Sequence, residues 1–314
     1  MALLPKPYPS KSLEYDIPIT EETRDIIKRK TGRDYCTSAD LPNKLNLSGC
    51  IDLVDVSALG NVKELYLRGC VNITDISMLR NVERIWLNGC KGVTNVSSLA
   101  YVKELWLNGC SGINDVSMLG NVEAIILRKC VGITDVSALG NVEYLDLSYC
   151  PNITDISSLG NNKSLRLNGC TGITDVSTLG NVEVLCLGYC TGITDVSSLG
   201  NVNMLFLNGC SGITDISMLG NNRMLFLNKC TGITDVSMLG NVRYLSLNGC
   251  TGITDVSMLG NVKYLNLNNC KGITDVSMLG NVKYLHLWGC SNIVDFSAVP
   301  HAYGYRSFRN YKFR

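Results

Sequence analysis

Apolar and polar positions along this chain recur with a fixed period of twenty residues. Thirteen successive segments from Leu41 to Pro300 carry the same apolar set, aligned on a cysteine that returns from Cys50 to Cys290. In the segment 181–200, Leu185 and Leu187 alternate with variable residues, the mark of a strand with one buried face. Val182, Cys190, Ile193, Val196 and Leu199 occupy positions that stay small or apolar in nearly every copy, which puts seven side chains per segment into one narrow core. The remaining stretch, Thr191–Gly200, leaves no room for an α-helix, whose usual length is about eleven residues. Its Ser-x-Leu-Gly-Asn run suits a 3-10 or β-turn, with Ser as cap and Gly at positive φ. So short and regular a period predicts stacked units, a repeat solenoid. Thirteen parallel strands at ~4.8 Å make a body ~60 Å long.

Over residues 41–300 the segments follow L-x-x-L-x-L-x-x-N/C-x-L, and the chain resembles the leucine-rich repeat proteins. The Cys followed by "GITD" resembles the cysteine-containing class, and the shortened "DVSxLGNVxxL" half is similar to the helix-free side of internalin-type repeats. So many near-identical segments also resemble leucine-rich repeat proteins of amoebal giant viruses and kinetoplastids. The resemblance implies a right-handed superhelix with a parallel β-sheet on its concave side and 3-10 or irregular turns on its convex side. Twenty residues is the lower limit of the repeat length, which implies weak curvature. Many members of the cysteine-containing class carry an F-box and serve as ubiquitin-ligase substrate receptors; residues 1–40 contain no recognisable one.

A stack of this kind exposes core at both ends unless it is capped. Residues 1–40 form the expected N-terminal cap. Thr20 stands ready to cap a helix through "EETRDIIKRKT", with acids in its first turn, bases in its last and Gly32 as the stop. Residues 41–300 are the repeat domain, and 301–314 the C-terminal cap or tail, where Tyr303, Tyr305, Phe308 and Tyr311 can cover the last segment.

Composition narrows the function classes. The 314 residues are 46% apolar with a formal net charge of +1, too balanced for bulk nucleic-acid or acidic-membrane binding. No stretch reads as a signal peptide or a membrane span. The fifteen cysteines form an odd set in a large chain, which reads as free thiols in a reducing, cytoplasmic compartment (host cytoplasm for a viral protein). Sequons at Asn72, Asn95 and Asn152 lie where a glycan would obstruct stacking, and read as by-products of the repeat.

Periodic thiols and carboxylates invite a metal reading. Structural zinc gathers four ligands at short spacings, whereas here each segment offers one thiol and its neighbours stand ~4.8 Å away, beyond the ~3.8 Å Cβ separation of a disulfide. A buried thiol bonded to a backbone carbonyl is the simpler reading. Aspartate fills the fifteenth position of every segment except the one with Asn95. A calcium ladder needs several oxygens per ion; an Asx-type bond to the turn backbone also explains Asp and tolerates Asn95. No metal or cofactor is expected. His286 and His301 have no partner dictated by spacing, Cys186 has nothing to lower its pKa, and no phosphate-binding loop occurs, so the chain does not read as an enzyme.

Against this constant frame the fourth, sixth and eighth positions vary, and they point away from the core. One apolar stripe is Tyr66, Trp86, Trp106 and Ile126, flanked by Arg68, Arg84, Glu104 and Arg128. A second is Met204, Phe206, Met224 and Phe226, continued by Tyr244, Tyr264, Tyr284 and Trp288. A polar stretch with Tyr144, Asp146 and Arg166 lies between them, and Asp146 and Arg166 on neighbouring segments can neutralise each other. Clustered exposed aromatics mark interaction sites, yet aromatics on adjacent strands also stabilise a sheet by roughly 0.2–1 kcal/mol per pair. Both readings stay open. The favoured function is a non-enzymatic module that binds a protein or peptide on the concave face. Self-association is a second reading. Nucleic-acid or glycan binding through the aromatics is a third, opposed for phosphates by the 17 basic and 20 acidic residues of the repeats. A basic tail (Arg306, Arg309, Lys312, Arg314) reads as a solvated rim.

Overall fold

The structure, a computed structural model, describes residues 16–303. The tail residues Tyr305, Arg306, Phe308, Arg309, Tyr311, Lys312 and Arg314 lie outside that range. Thirteen three-residue strands, β1 (Lys44–Asn46) to β13 (Tyr284–His286), pair in chain order into one parallel sheet. Each residue stands opposite its counterpart one repeat away, as Leu65 does against Ile85. Pattern and register enforce each other, because a one-residue slip would turn every equivalent leucine from core to solvent. The strands are shorter than the alternation suggests. Only the fourth to sixth positions of each rung pair as strand, and the eighth already lies in the following turn.

The core is one continuous column. In a single rung Val62, Leu65, Leu67, Cys70, Ile73, Ile76 and Leu79 are each at most 2% exposed. At the second position Asn162 and Asn222 are buried where ten rungs carry Val and the first carries Pro42. The chain returns through 3-10 segments such as Ser197–Asn201 in eleven rungs and through turns in the other two.

The turn chemistry differs from expectation in two respects. Ser is the first residue of the 3-10 segment and receives a cap rather than giving one: the side-chain oxygen of Asp195 accepts the Ser197 N–H at 2.9 Å. The glycine closing the rung is not at positive φ either, since Gly180 sits at −61°. Its role is close approach: a Cβ on Gly180 would lie 2.6 Å from the Ser198 carbonyl of the next rung. The left-handed residue is instead the ninth, where Gly209 has φ +74°.

At the N-terminal end α1 (Glu21–Thr31) packs on the first rung. Its Ile26 and Ile27 join the core, and the Thr23 hydroxyl donates to the Asp55 carbonyl at 2.8 Å. Gly32, at φ +71°, ends the helix as expected, while Thr20 occupies the N-cap position without a side-chain bond. At the other end Tyr303 extends the ladder by one residue. Its N–H donates to Leu285 O at 2.7 Å, its carbonyl accepts from Leu287 N, and its ring stacks on His286.

Candidate binding surface

Three ladders fix the backbone that presents the sheet face. Twelve cysteines, Cys70 through Cys290, each donate the thiol hydrogen to a leucine carbonyl of the preceding rung at 3.0–3.3 Å. Burial pushes these thiols up, to about 12 for Cys90 and Cys250 and about 11 for Cys110. They are packing groups, not nucleophiles. The fifteenth-position side chain accepts the N–H of the serine two residues on in all thirteen rungs, Asn95 included. Those bonds hold Asp215, like Asp195 and Asp235 on the neighbouring rungs, below the usual carboxylate range. The third ladder escaped the sequence reading. Asn88, Asn108, Asn168, Asn208, Asn228 and Asn268, at the eighth position, each accept the N–H of the eighth residue one rung on, at 2.7–3.2 Å. The signal was the recurrence of Asn at a position that otherwise varies.

Of the sequons, Asn72 and Asn152 donate through Nδ2 to carbonyls of the preceding rung at 2.8 Å. A glycan on either nitrogen would compete with that bond.

On the sheet face the first stripe is a stack. Tyr66, Trp86 and Trp106 lie face to face, with ring centroids 4.1 and 4.4 Å apart and planes within 13° of parallel. The rings and the neighbouring Ile126 are partly buried. Alongside runs an ion-pair chain in which Arg84 bonds Glu104 at 3.0 Å and Glu64 at 3.1 Å, and Lys44 reaches Glu64. The Glu104 bond raises the Arg84 pKa, and the Lys44 bond lowers that of Glu64. One position earlier Lys63 and Lys103 share Glu83. Along this stripe Lys44, Glu64, Arg84 and Glu104 satisfy one another's charges.

The middle stretch is arranged differently from expectation. Asp146 and Arg166 are register partners, but Asp146 is 4% exposed and turns to its own strand end, where it accepts Ser148 N–H at 2.9 Å. Its other oxygen faces Arg128 at 3.9 Å. Arg128 also lies over the Tyr149 ring, and the bond of Asp146 to Ser148 is the one that Asn46 and Asn266 make at the same position of their rungs. Arg166 remains exposed, as does Tyr144, beside whose ring Lys163 sits at 5.7 Å. Burial raises the Cys186 pKa.

The second stripe changes character along its length. Phe206 and Phe226 stack at 4.6 Å, with partly buried Met204 and Met224 beside them. Tyr244, Tyr264 and Tyr284 instead step along at 6.3 Å, tilted by 31–36°. Exposure rises toward the end, reaching 38% at Tyr284 and 58% at Trp288. Burial pushes the neighbouring His286 down.

This in-register sheet with one short return per rung is the leucine-rich repeat fold, and the chain is a leucine-rich repeat solenoid. A solved internalin from Listeria monocytogenes superposes with a TM-score of 0.61 at 21% identity, covering 90% of this chain and 98% of its own. A leucine-rich repeat protein of Leptospira interrogans gives 0.52 at 18% identity over 80% and 79% of the two chains. The functional domain of InlJ from Listeria monocytogenes, which includes a cysteine ladder, gives 0.50 at 17% identity over 85% and 73%. No protein-family profile matches the chain, and no curated protein sequence does. Among the described residues no helix is long and apolar enough to cross a membrane, and all fifteen cysteines are free.

Proposed function

We propose that this protein is a non-enzymatic interaction module whose sheet face holds a partner protein or peptide. The supporting observation is a division of labour within each rung. Core and turn positions repeat nearly unchanged, while the fourth and sixth positions change rung by rung on a flat, rigidly bonded surface. Anchors of the kind that dominate interfaces, Trp, Tyr and Arg, fall on that surface. The tightly stacked rings of the first stripe have spent much of their area on each other. Tyr284 and Trp288 at the end of the second stripe stay exposed, so that stripe is the stronger half of the proposed site. The proposal of a reducing compartment rests on Cys36 and Cys186, because burial shields the ladder thiols in any surroundings.

Quantitative pull-down from the native cell tests the reading. Trp86→Ala/Trp106→Ala, Phe206→Ala/Phe226→Ala and Tyr264→Ala/Tyr284→Ala are compared with wild type at matched folding. Partner recovery falls most for the tyrosine pair; undiminished recovery in all three refutes the proposal.

A further inference from the structure

The third position of each rung, just before the strand, carries a charge pattern that folding does not explain. In the first half its charges pair across rungs, as when Lys63 and Lys103 share Glu83 and Lys163 meets Glu143. In the last rungs the same position reads Arg223, Arg243, Lys263, Lys283. These four are in-register neighbours: Tyr244 N–H donates to Arg223 O, Tyr264 N–H to Arg243 O and Tyr284 N–H to Lys263 O. None makes an ion pair among the described residues. The five acids of residues 201–300, Asp215 to Asp295, all sit in the return segments, each bonded to its turn serine. Like charges on adjacent strands destabilise a sheet, and this row keeps four cations in succession, whereas Lys63, Lys103 and Lys163 each pair with a glutamate of a neighbouring rung.

The basic heads also reach the tyrosine face. Arg243 lies 5.6 Å from the Tyr244 ring centroid and Lys283 lies 5.4 Å from that of Tyr284. The result is a cationic row bordering a row of tilted phenols, partly buried at Tyr244 and Tyr264 and exposed at Tyr284. Resting on the binding role proposed for the sheet face, we propose that this strip docks an acidic, extended segment of a partner protein laid along the solenoid axis. Charge complementarity selects the acid. Glutamates at alternate residues of an extended chain are ~6.8 Å apart, so three of them span ~14 Å, the length of four rungs at ~4.8 Å. A nucleic acid fits less well, because the strip is one row wide on repeats that carry 17 basic and 20 acidic residues and phosphate binding scales with the number of neutralised charges.

The probe is a fluorescein-labelled (Glu-Thr)6 peptide, titrated by anisotropy at low salt. Wild-type protein binds it, and affinity falls about tenfold or more in high salt, as screening requires. In Arg223→Ser/Arg243→Ser/Lys263→Ser/Lys283→Ser affinity also falls at least about tenfold, while the melting temperature stays equal to or above wild type. Should the fourfold variant fail to fold, Arg243→Ser/Lys263→Ser is read the same way. Absence of wild-type binding, unchanged binding by the variants, equal binding of (Lys-Thr)6, or preference for oligo-dT over the peptide would each overturn the inference. In the native-cell pull-down, a fourfold variant that keeps the partner lost by Tyr264→Ala/Tyr284→Ala overturns the acidic partner alone and leaves the sheet-face reading standing.

Discussion

Asn162 and Asn222 show how strictly a single position is specified. Each is 1% exposed and donates through Nδ2 to backbone carbonyls, Leu199 at 2.9 Å and Val202 at 2.6 Å for Asn222, while its Oδ1 has no partner. The Leu199 carbonyl already accepts the Val202 backbone N–H at 3.2 Å, as the equivalent carbonyl does in valine rungs. Little is lost by removing the amide, and an orphaned acceptor is removed with it. Asn222→Val therefore raises unfolding stability by about 1 kcal/mol, measured by urea denaturation; a loss of stability would show that the amide does more than fill space. Residue-level roles were readable where one group has one available partner. The fifteenth-position Asx bond and the cysteine thiol bond follow from spacing and residue type. The inward turn of Asp146 does not, because two partners compete for it, Arg166 on the next strand and the local Ser148 N–H, and the local bond forms. The rung-closing glycine was assigned positive φ because a conformational and a steric need for glycine look identical in a sequence.

Each rung is a weak element alone, with a three-residue strand and a single 3-10 turn, and its order comes from neighbours. The cysteine ladder makes the coupling visible. An ordinary thiol titrates near 9.0 and the buried ones at about 11 to 12, so the folded state holds the proton more tightly than the unfolded chain. That contribution to stability is complete below pH ~9 and disappears as pH rises through about 12. Alkylation with iodoacetamide followed by mass spectrometry checks this. At pH ~9 Cys36 and Cys186 react first, and the ladder reacts only as pH approaches 11 to 12 and the solenoid opens; uniform labelling at pH ~9 would contradict a protected ladder. Strand register, core column and return segment were all legible from the period of twenty. The limits of the strand were not. Alternation continues through the eighth position, but the chain turns there, and in six rungs an asparagine side chain bonds the next rung from it instead of facing a partner.

For the whole molecule, the repeat acts as a neutral ruler against which two departures stand out. The aromatic stripes were visible as irregularities at the fourth and sixth positions. The cationic row was not, because a third-position side chain was assigned to neither face. Only the paths of Arg243 and Lys283 over their tyrosines bring it to the sheet. Ends and middle also divide the work: α1 and Tyr303 close the two ends, Lys44, Glu64, Arg84 and Glu104 beside the stacked stripe satisfy one another's charges, and the tilted, basic last rungs keep free surface at Tyr284 and Trp288. Site-specific photo-cross-linking tests the central claim that the sheet face receives the partner. Benzoylphenylalanine replaces Tyr264 on the sheet or Met238 on the exposed return side, and each protein is irradiated in native-cell extract. The account predicts a discrete adduct from position 264 and none from 238. Adducts from 238 alone, or equally from both, would contradict it.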